Sequence, residues 1–453
     1  MAKLWQKDNY SENELANKVE KFTVGNDRNL DLLLAKHDVL GSLAHTKMLA
    51  EVGLLSKEDL SPIQEELKNI LKKIENGNFF IADESEDIHS EVEFRLTQKL
   101  GDSGKKIHSG RSRNDQVLLD IKLFTRTEIE QLVHETKNVF DTLIQLSNTH
   151  KDKLIPGYTH LQLAMPSSFG LWFGAYAESL VDDMQILYSA FTLANKNPLG
   201  SGAGYGGSFP LNRKLTTDLL GFEDLNYNVV YAQMNRGKME KNVAFAISNI
   251  AATLSKFAMD CCLYMNQNFG FIAFPDVLTT GSSIMPHKKN PDVFELIRAK
   301  CNKLQNLPAQ INSIITNLPS GYHRDLQIVK EDFFESFGEI KSCLEMTNLM
   351  LQNIIVKENI LEDEKYKLLF TVETVNQLVN EGMPFRDAYI KVGKDVEAGN
   401  YQKPTSINHT HEGSIGNLCN DEIQRMMQQT INQFPFQKIK DALDKLVNTD
   451  GID

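Results

Sequence analysis

The stretch Asn242-Val-Ala-Phe-Ala-Ile-Ser-Asn-Ile-Ala-Ala-Thr-Leu-Ser-Lys-Phe-Ala-Met-Asp-Cys-Cys-Leu-Tyr264 decides the class of fold. Its apolar residues recur at alternating four- and three-residue steps, which is the a/d spacing of helices that pack side by side. These residues are Val243, Ile247, Ile250, Leu254, Phe257, Cys261 and Tyr264. The other faces are also largely apolar, so we predict a long helix buried on several sides, in a bundle core or a subunit interface.

Three further segments show helical spacing. Residues 129–147 form an amphipathic pattern, 169–194 are rich in aromatic residues, and a third seam runs from Phe294 to Leu318. Pro308 falls on that third seam, where it is expected to kink the helix or remove one hydrogen bond. Several of these helices exceed the usual length in globular proteins, and alternating strand patterns are scarce. The sequence therefore predicts an all-α fold built on an extended bundle.

The chain is long enough for more than one hydrophobic core, because it has 453 residues. The helical pattern is interrupted by a polar, glycine-containing turn before residue 110 and by a charged stretch at 356–364. We therefore predict an N-terminal helical domain at 1–110, a central long-helix bundle at 111–361 and a small C-terminal helical domain at 362–453.

Composition excludes several classes of function. A formal net charge of -12 argues against nucleic-acid binding, which needs a basic surface. The sequence contains no run of about 18 apolar residues, which is the length that would predict a membrane span. Its first residues also lack the apolar region of a secretory signal. The five cysteines are too scattered for a disulfide framework, and the adjacent Cys261 and Cys262 fit small apolar positions better than metal ligands. We predict a cytoplasmic protein.

The loop Gly281-Ser-Ser-Ile-Met-Pro-His-Lys-Lys-Asn-Pro291 is rich in hydrogen-bond donors. Two hydroxyls follow a flexible glycine, two lysines come six residues later, and the Asn-Pro pair can cap and open a helix. This combination predicts a mobile loop that faces an anion.

A second polar cluster is His108-Ser-Gly-Arg-Ser-Arg-Asn-Asp-Gln116. Ser112 and Asp115 have the spacing of a helix capping box, which is a purely structural explanation for those two residues. Capping leaves two arginines and Asn114 unexplained at a helix N-terminus, where forked donors and the helix dipole favour a carboxylate.

Two more clusters are ambiguous by themselves. In Pro156-Gly-Tyr-Thr-His-Leu-Gln162, His160 lies in a predicted turn just before a helix, and a lone histidine is more often structural. The segment from Leu318 to Gln327 could be only a polar loop. With the helix that follows, it would present Tyr322, Gln327 and Lys330.

Together, the loop and the three clusters resemble the argininosuccinate lyase family of the fumarase/aspartase superfamily, from about Asp27 to Arg386. His287-Lys-Lys-Asn-Pro291 is nearer to this branch, which usually has Gln at the first position, than to the fumarase or adenylosuccinate lyase pattern. The resemblance implies three mostly helical domains and a homotetramer whose active sites combine loops from three subunits. It also implies elimination of fumarate from argininosuccinate, without metal or organic cofactor.

The resemblance also implies roles for particular residues. Ser282 would be the base and His160, paired with Glu295, the acid, although the two assignments can be exchanged. The dianionic intermediate would be stabilised by Lys288, Asn290 and the amides of the Ser282–Ser283 segment. The fumarate-side carboxylates would meet Ser112, Arg113, Asn114 and Thr159. The rest of the substrate would be held by Asp27, Tyr322, Gln327 and Lys330, with Thr23 in place of the usual serine.

Alternatives stay open at this point. Where the family often has Ser-x-Arg-Asp, this chain has Arg236-Gly-Lys-Met-Glu240, so it could be a related lyase acting on a modified succinyl substrate. Some relatives serve as lens crystallins, which makes a non-enzymatic structural protein a second alternative. A helical scaffold is a third, but it does not explain polar residues concentrated in loops.

Overall fold

The computed structural model describes residues 14–449, and it is almost entirely helical. The α-helices are α1 (Glu14–Val24), α2 (Asp27–Glu51), α3 (Lys57–Glu75), α4 (Ile88–Leu100), α5 (Asp102–Lys105), α6 (Arg113–Thr149), α7 (Phe169–Ala194), α8 (Arg213–Leu219), α9 (Val229–Met234), α10 (Lys238–Met265), α11 (Asp292–Leu304), α12 (Leu307–Ile315), α13 (Val329–Gln352), α14 (Thr371–Asn380), α15 (Phe385–Glu397), α16 (Asn420–Ile431) and α17 (Phe436–Asn448). Short 3-10 helices span Lys106–His108, Asp276–Leu278, Arg324–Gln327, Ile360–Glu362 and Glu364–Phe370.

Strands occur only as three two-stranded pairs within residues 14–449. The strands are β1 (Leu154–Thr159), β2 (Gln162–Ser168), β3 (Lys196–Asn197), β4 (Asp224–Leu225), β5 (Ile272–Ala273) and β6 (Ile355–Val356). β1 pairs with β2 and β5 with β6 in antiparallel fashion, whereas β3 and β4 are parallel. The all-α prediction is therefore confirmed.

The predicted long helices form a central bundle of α6, α7, α10 and α13. The aromatic-rich segment is α7, with the bounds expected from the sequence, and the Asn242–Tyr264 seam lies within α10. Helix α10 packs against α7 and α13, and the rings of Trp172 and Phe257 stack between α7 and α10 with centroids 5.3 Å apart. The interior side of this seam is buried, as its spacing predicts.

One side of α10 is uncovered in the single chain. Phe245 and Met259 are 52% and 48% exposed, and Ala252 lies between them on the same face. The prediction that α10 is buried on several sides is therefore confirmed within one chain for the faces that meet α7, α11, α12 and α13.

The prediction of one helix kinked at Pro308 is wrong. Helix α11 ends at Leu304, and α12 begins at Leu307 with Pro308 in its first turn. The first turn of a helix has backbone N–H groups without intrahelical acceptors, so a proline there removes no hydrogen bond. The apolar spacing continues across the break because both helices pack against α10 and α13.

Among residues 14–449, buried apolar side chains form three clusters. The largest fills the central bundle, a second lies among α2, α3, α4 and the start of α6, and a small one joins α14 to α15 around Val392. The domain limits near residues 110 and 361 stay a prediction. Within residues 14–449, no helix combines the length and apolarity that crossing a membrane requires.

Candidate active site

A cavity of about 180 Å³ brings together six of the predicted site residues. It lies where α2, α4, α6 and α13 begin, near the segment that joins α9 to α10. The predicted residues that line it are Asp27, Arg113, Asn114, Tyr322, Gln327 and Lys330. Long-range packing therefore places residues from three separate stretches of sequence around one space.

Lys330 forms a deeply buried ion pair in this cavity. Its Nζ lies 2.6 Å from Asp27 Oδ1 and 2.8 Å from Asp31 Oδ1. Burial raises the pKa of Asp27, while the Lys330 ammonium acts in the opposite direction. Asp31 was not predicted as a site residue, although it lies one helical turn after Asp27 and therefore shares its face of α2.

Arg113 is held by carboxylates of its own chain. It is the first residue of α6, where Ser112 and Asp115 form the predicted capping box. Its Nη1 donates to Glu86 at 2.8 Å and its Nη2 to Ser90 Oγ at 2.7 Å. Burial lowers the pKa of Arg113, but Asp87 and Glu86 act in the opposite direction, and the pKa is raised overall. Ser112 thus has its structural role confirmed, while its contact with substrate stays a prediction.

The 322–330 segment is tied to the residues that precede α2. Gln327 Nε2 donates to the carbonyls of Thr23 and Val24 at 3.0 and 3.2 Å, and Arg324 Nη2 donates to Thr23 at 2.9 Å. The Thr23 hydroxyl donates back to Val19 within α1, and the Thr23 side chain is outside the cavity lining. Within one chain, Thr23 therefore shapes the cavity through its carbonyl.

His89 also lines the cavity and lies between α2, α4 and α6. Its Nδ1 is 2.6 Å from Asp38 Oδ1 and 3.6 Å from Asp120 Oδ2. Burial would lower the pKa of His89, but Asp38 and Asp120 together raise it to about 9. These three side chains are close enough to be considered as metal ligands, yet 2.6 Å is a hydrogen-bond distance. The arrangement fits a protonated imidazole that donates to Asp38 and has the Asp120 carboxyl group nearby.

We expect the free energy of unfolding to fall as pH rises through about 9, because His89 then loses its proton. Since the folded pKa is above the unfolded value of about 6.5, this stabilisation is complete below pH 6.5. When the stabilisation by His89 is lost, the free energy of unfolding should fall by roughly 3 kcal/mol, which is the energy equivalent of the difference between the folded and unfolded pKa values. Urea unfolding between about pH 6 and pH 10 measures it.

His89→Gln should remove this alkaline dependence, whereas His134→Gln, a substitution of an exposed histidine on α6, should keep it. An unchanged dependence in His89→Gln would show that another group titrates.

His160 lies at the tip of the β1–β2 hairpin, so the prediction of a turn directly before a helix is wrong. Thr159 pairs with Gln162, and the two residues between them, His160 and Leu161, have φ of 55° and 59°. Positive φ at both positions matches a type I′ turn, which normally contains Asn-Gly. Both side chains are exposed at the tip of this unusual turn.

The donor-rich loop projects from the surface before α11. Thr280 and Asn290 close it as an antiparallel bridge, and Ser282 Oγ accepts the amides of Ile284 and Met285 at 3.3 and 3.2 Å. Lys288, Ser283 and Glu295 are exposed.

The expectation that Asn290-Pro291 caps α11 is wrong. Asn290 Nδ2 donates to Thr280 Oγ1 and to the Gly281 carbonyl instead, both at 3.4 Å. The residue that precedes the helix is Pro291, which has no side-chain cap.

The hairpin tip that carries His160, the donor-rich loop at 281–291 and the cavity residues do not meet within one chain. Neither the hairpin tip nor the loop lines the cavity. In the described part of the chain, no hydrogen bond or ion pair joins His160 to Glu295 or Ser282 to Lys288. The structure thus brings together predicted contacts to both ends of the substrate, but not the predicted acid, base and carbanion-stabilising groups. A larger cleft of about 980 Å³ between α2, α3 and α17 contains none of the predicted residues.

Comparison with known proteins defines the class. Residues 5–305 match the lyase family. Argininosuccinate lyase from Bacteroides fragilis is 62% identical over 440 residues, which cover 97% of this chain and 98% of that protein. Argininosuccinate lyase from Thermotoga neapolitana is 39% identical over 86% of this chain and 98% of its own. The chain belongs to the argininosuccinate lyase family.

Solved structures share the fold at much lower identity. A structure of EDDS lyase in complex with formate aligns with a TM-score of 0.77 at 20% identity, covering 95% of this chain and 94% of that one. The fumarate lyase:delta crystallin from Brucella melitensis, solved bound to cobalt, aligns with a TM-score of 0.68 at 16% identity, covering 90% and 92%. At these identities the likeness extends to the helical fold alone.

Proposed function

We propose that this protein eliminates fumarate from argininosuccinate to release arginine, as a carbon–nitrogen lyase of arginine biosynthesis. The observation that carries this proposal is the 62% identity with an argininosuccinate lyase along nearly the whole of both chains. The cavity supports it, because its acidic and basic side chains suit a substrate that carries both charges.

The chemistry requires stabilisation of extra negative charge. The proton leaves a carbon next to a carboxylate that is already ionised, so a dianion develops. Donors fixed in place before the reaction usually contribute most to such a step. The exposed loop supplies them from Lys288, Asn290 and the backbone amides beside Ser283.

Ser282 and His160 transfer the protons in this proposal. Ser282 removes the carbon-bound proton and needs nearby positive charge, which Lys288 would provide when the loop closes and water leaves. His160, oriented by Glu295, protonates the departing guanidine nitrogen. The roles of Ser282 and His160 are interchangeable in this scheme.

The two ends of the substrate would meet different groups. Ser112, Arg113, Asn114 and Thr159 take the fumarate-side carboxylates. The arginine end lies against Asp27, Tyr322, Gln327 and Lys330, with Thr23 at the edge. A cavity of about 180 Å³ is smaller than most ligand pockets, so it accommodates only part of this substrate in one chain.

We further propose a cytoplasmic homotetramer whose active sites are shared between subunits. The separation of hairpin tip, loop and cavity within one chain supports this arrangement, because elimination needs all three at one substrate. The uncovered apolar face of α10, which includes Phe245 and Met259, supports it as well, since burying apolar surface drives subunit association.

Complementation tests the shared sites. Mixing inactive His160→Asn and inactive Ser282→Ala proteins, then allowing subunits to exchange, should restore part of the activity because some sites receive both intact groups. Fumarate release is the measurement. As controls, each of the two variants is taken by itself through the same subunit-exchange procedure. No recovery in hybrids whose mixing is verified by mass spectrometry would place both residues in one chain.

A substrate comparison tests the function itself. Purified protein should release fumarate, followed by its ultraviolet absorbance, from argininosuccinate without added metal or cofactor. Adenylosuccinate, malate and aspartate are tested beside it. Turnover of another succinyl compound with argininosuccinate inert would favour the modified-substrate alternative, and no turnover at all would favour a crystallin-like structural role.

A further inference from the structure

Four helices, α2, α3, α6 and α17, supply the residues that line the cleft of about 980 Å³. This cleft shares no lining residue with the candidate active-site cavity. Its volume is at the upper end of the range for small-molecule pockets, which is about 300–1,000 Å³. The cleft is therefore large enough for a ligand that takes no part in the proposed reaction.

The inner wall of the cleft is apolar. It is formed by the buried side chains of Leu40, Leu71, Leu123 and Ile439. Helix α17 adds three partly buried apolar side chains, which are Phe436, Leu443 and Val447. Apolar surface around a cavity of this size favours a ligand with an apolar body.

The rim of the cleft carries charged side chains of both signs, and all of them are exposed or partly exposed. Four are basic and four are acidic: Lys36, Lys68, Lys72 and Lys440, and Glu65, Glu75, Glu130 and Asp444. Lys36 and Glu75 form an ion pair at 3.4 Å. Because the two signs are equal in number, the rim gives the cleft no net charge.

Two lining side chains, His37 and Arg126, are both polar and buried. Burial lowers the pKa of His37 to about 3, so His37 is uncharged at neutral pH. Burial also lowers the pKa of Arg126, to about 9, and Arg126 therefore keeps its charge at neutral pH. The buried part of the cleft thus carries a single positive charge.

The Arg126 guanidinium has uncharged partners. It lies over the Phe222 ring at 4.3 Å from the ring centre, and it donates to Asn195 Oδ1 at 3.2 Å and to the Leu220 carbonyl at 2.9 Å. Its Nε is buried without a hydrogen-bond partner among residues 14–449. Glu130, one turn further along α6, is beyond ion-pair distance. A buried cation without a counter-ion is costly, so an anion beside Arg126 would be stabilising.

We propose that this cleft binds a small molecule with one carboxylate and an apolar body, and that the carboxylate pairs with Arg126. The inference goes beyond the proposed function and does not depend on it. A guanidinium is well suited to accept a carboxylate as partner, and the apolar body would cover the wall of leucine and isoleucine side chains. A ligand with two negative charges would need a second buried cation, which the cleft lining does not provide.

Octanoate, 1-octanol and acetate provide the test, because they separate the charge from the apolar chain. Calorimetry at pH 7 measures the binding of each to the wild-type protein. Octanoate should bind about 10- to 100-fold more tightly than 1-octanol, the usual effect of a charge-assisted contact in a buried site. Hexanoate should bind roughly tenfold more weakly than octanoate, because it has two fewer CH2 groups to bury. Acetate should show no saturable binding.

Arg126→Met should reduce the preference for octanoate over 1-octanol to about threefold or less, because it removes the buried charge. Lys440→Met is the matched control for a charge at the rim. Since Lys440 is exposed, its loss should weaken octanoate binding by about fivefold at most. Equal losses of octanoate affinity in the two variants would contradict the pairing with Arg126.

Val447→Trp tests the cleft itself, even if Arg126→Met does not fold. Val447 is partly buried and lines the cleft, so the larger ring should occupy space in the cleft and leave the melting temperature unchanged or higher. Octanoate affinity should fall by about tenfold or more, because the ligand would have to displace the ring.

Lys445→Trp is the control for this substitution, because Lys445 is an exposed residue of α17 outside the cleft lining. It should keep the wild-type affinity for octanoate. The proposal is overturned if the wild-type protein binds octanoate no more tightly than 1-octanol. It is also overturned if Val447→Trp binds octanoate as tightly as the wild-type protein does.

Discussion

Ser282→Ala should lower kcat by about 10²–10⁴-fold while leaving the fold and most of the substrate affinity intact. The serine would act on the proton during the reaction, so its loss removes an interaction of the transition state rather than of the bound substrate. The Ser282 hydroxyl accepts only two long amide contacts inside an exposed loop, and little stability depends on it. Steady-state fumarate release and thermal unfolding measure the two effects.

Ser283→Ala is the matched control, because the neighbouring serine is of equal size and lies in the same loop. Ser283→Ala should lower kcat clearly less than Ser282→Ala does. Lys288→Met should lower kcat to a similar extent as Ser282→Ala, since it removes positive charge opposite the developing dianion. If Ser283→Ala abolished turnover while Ser282→Ala did not, the alignment of roles within the loop would have to move by one residue.

Lys330→Met should lower the free energy of unfolding by about 3–5 kcal/mol and abolish measurable activity. The substitution leaves Asp27 and Asp31 buried without the cation that lies 2.6 and 2.8 Å from them. Removing one partner of a buried ion pair is far more destabilising than removing an exposed one. Urea unfolding of the free protein measures the loss.

Lys341→Met on the same helix provides the control. Its ammonium pairs with Glu128 at 2.8 Å in a partly exposed position, so its loss should cost less than about 1 kcal/mol. Adding Asp31→Asn to Lys330→Met should recover part of the stability and none of the activity. Equal effects of Lys330→Met and Lys341→Met would mean that the buried pair contributes no special stability.

Local patterns were sufficient to predict the two long helices α7 and α10. The apolar spacing of α10 and the aromatic stripe of α7 follow from chemistry within one segment, and their predicted extents agree with the structure. The capping box at Ser112 was also predictable, because its two hydrogen bonds join residues three positions apart. Interactions of this range are encoded directly in residue order.

Predictions that depended on neighbouring elements were less secure. Pro308 was expected to kink one helix or remove a hydrogen bond, whereas in the structure α11 ends at Leu304 and α12 begins at Leu307, and both helices pack against α10 and α13. The hairpin at His160 was missed because its turn lacks Asn-Gly, which is the usual sequence signal. Pairing of β1 with β2 overrides the preference of His160 and Leu161 for negative φ.

The sequence by itself determined the helical class, the family and the residue types available for the chemistry, because these reside in spacing and in short motifs. Only the tertiary structure decided which side chains share the cavity and which are already paired. Asp31 is bound to Lys330, whereas two buried donor atoms of Arg236 have no partner among residues 14–449. Neither fact can be read from residue order, since each depends on contacts between segments distant in sequence whose geometry is set by packing.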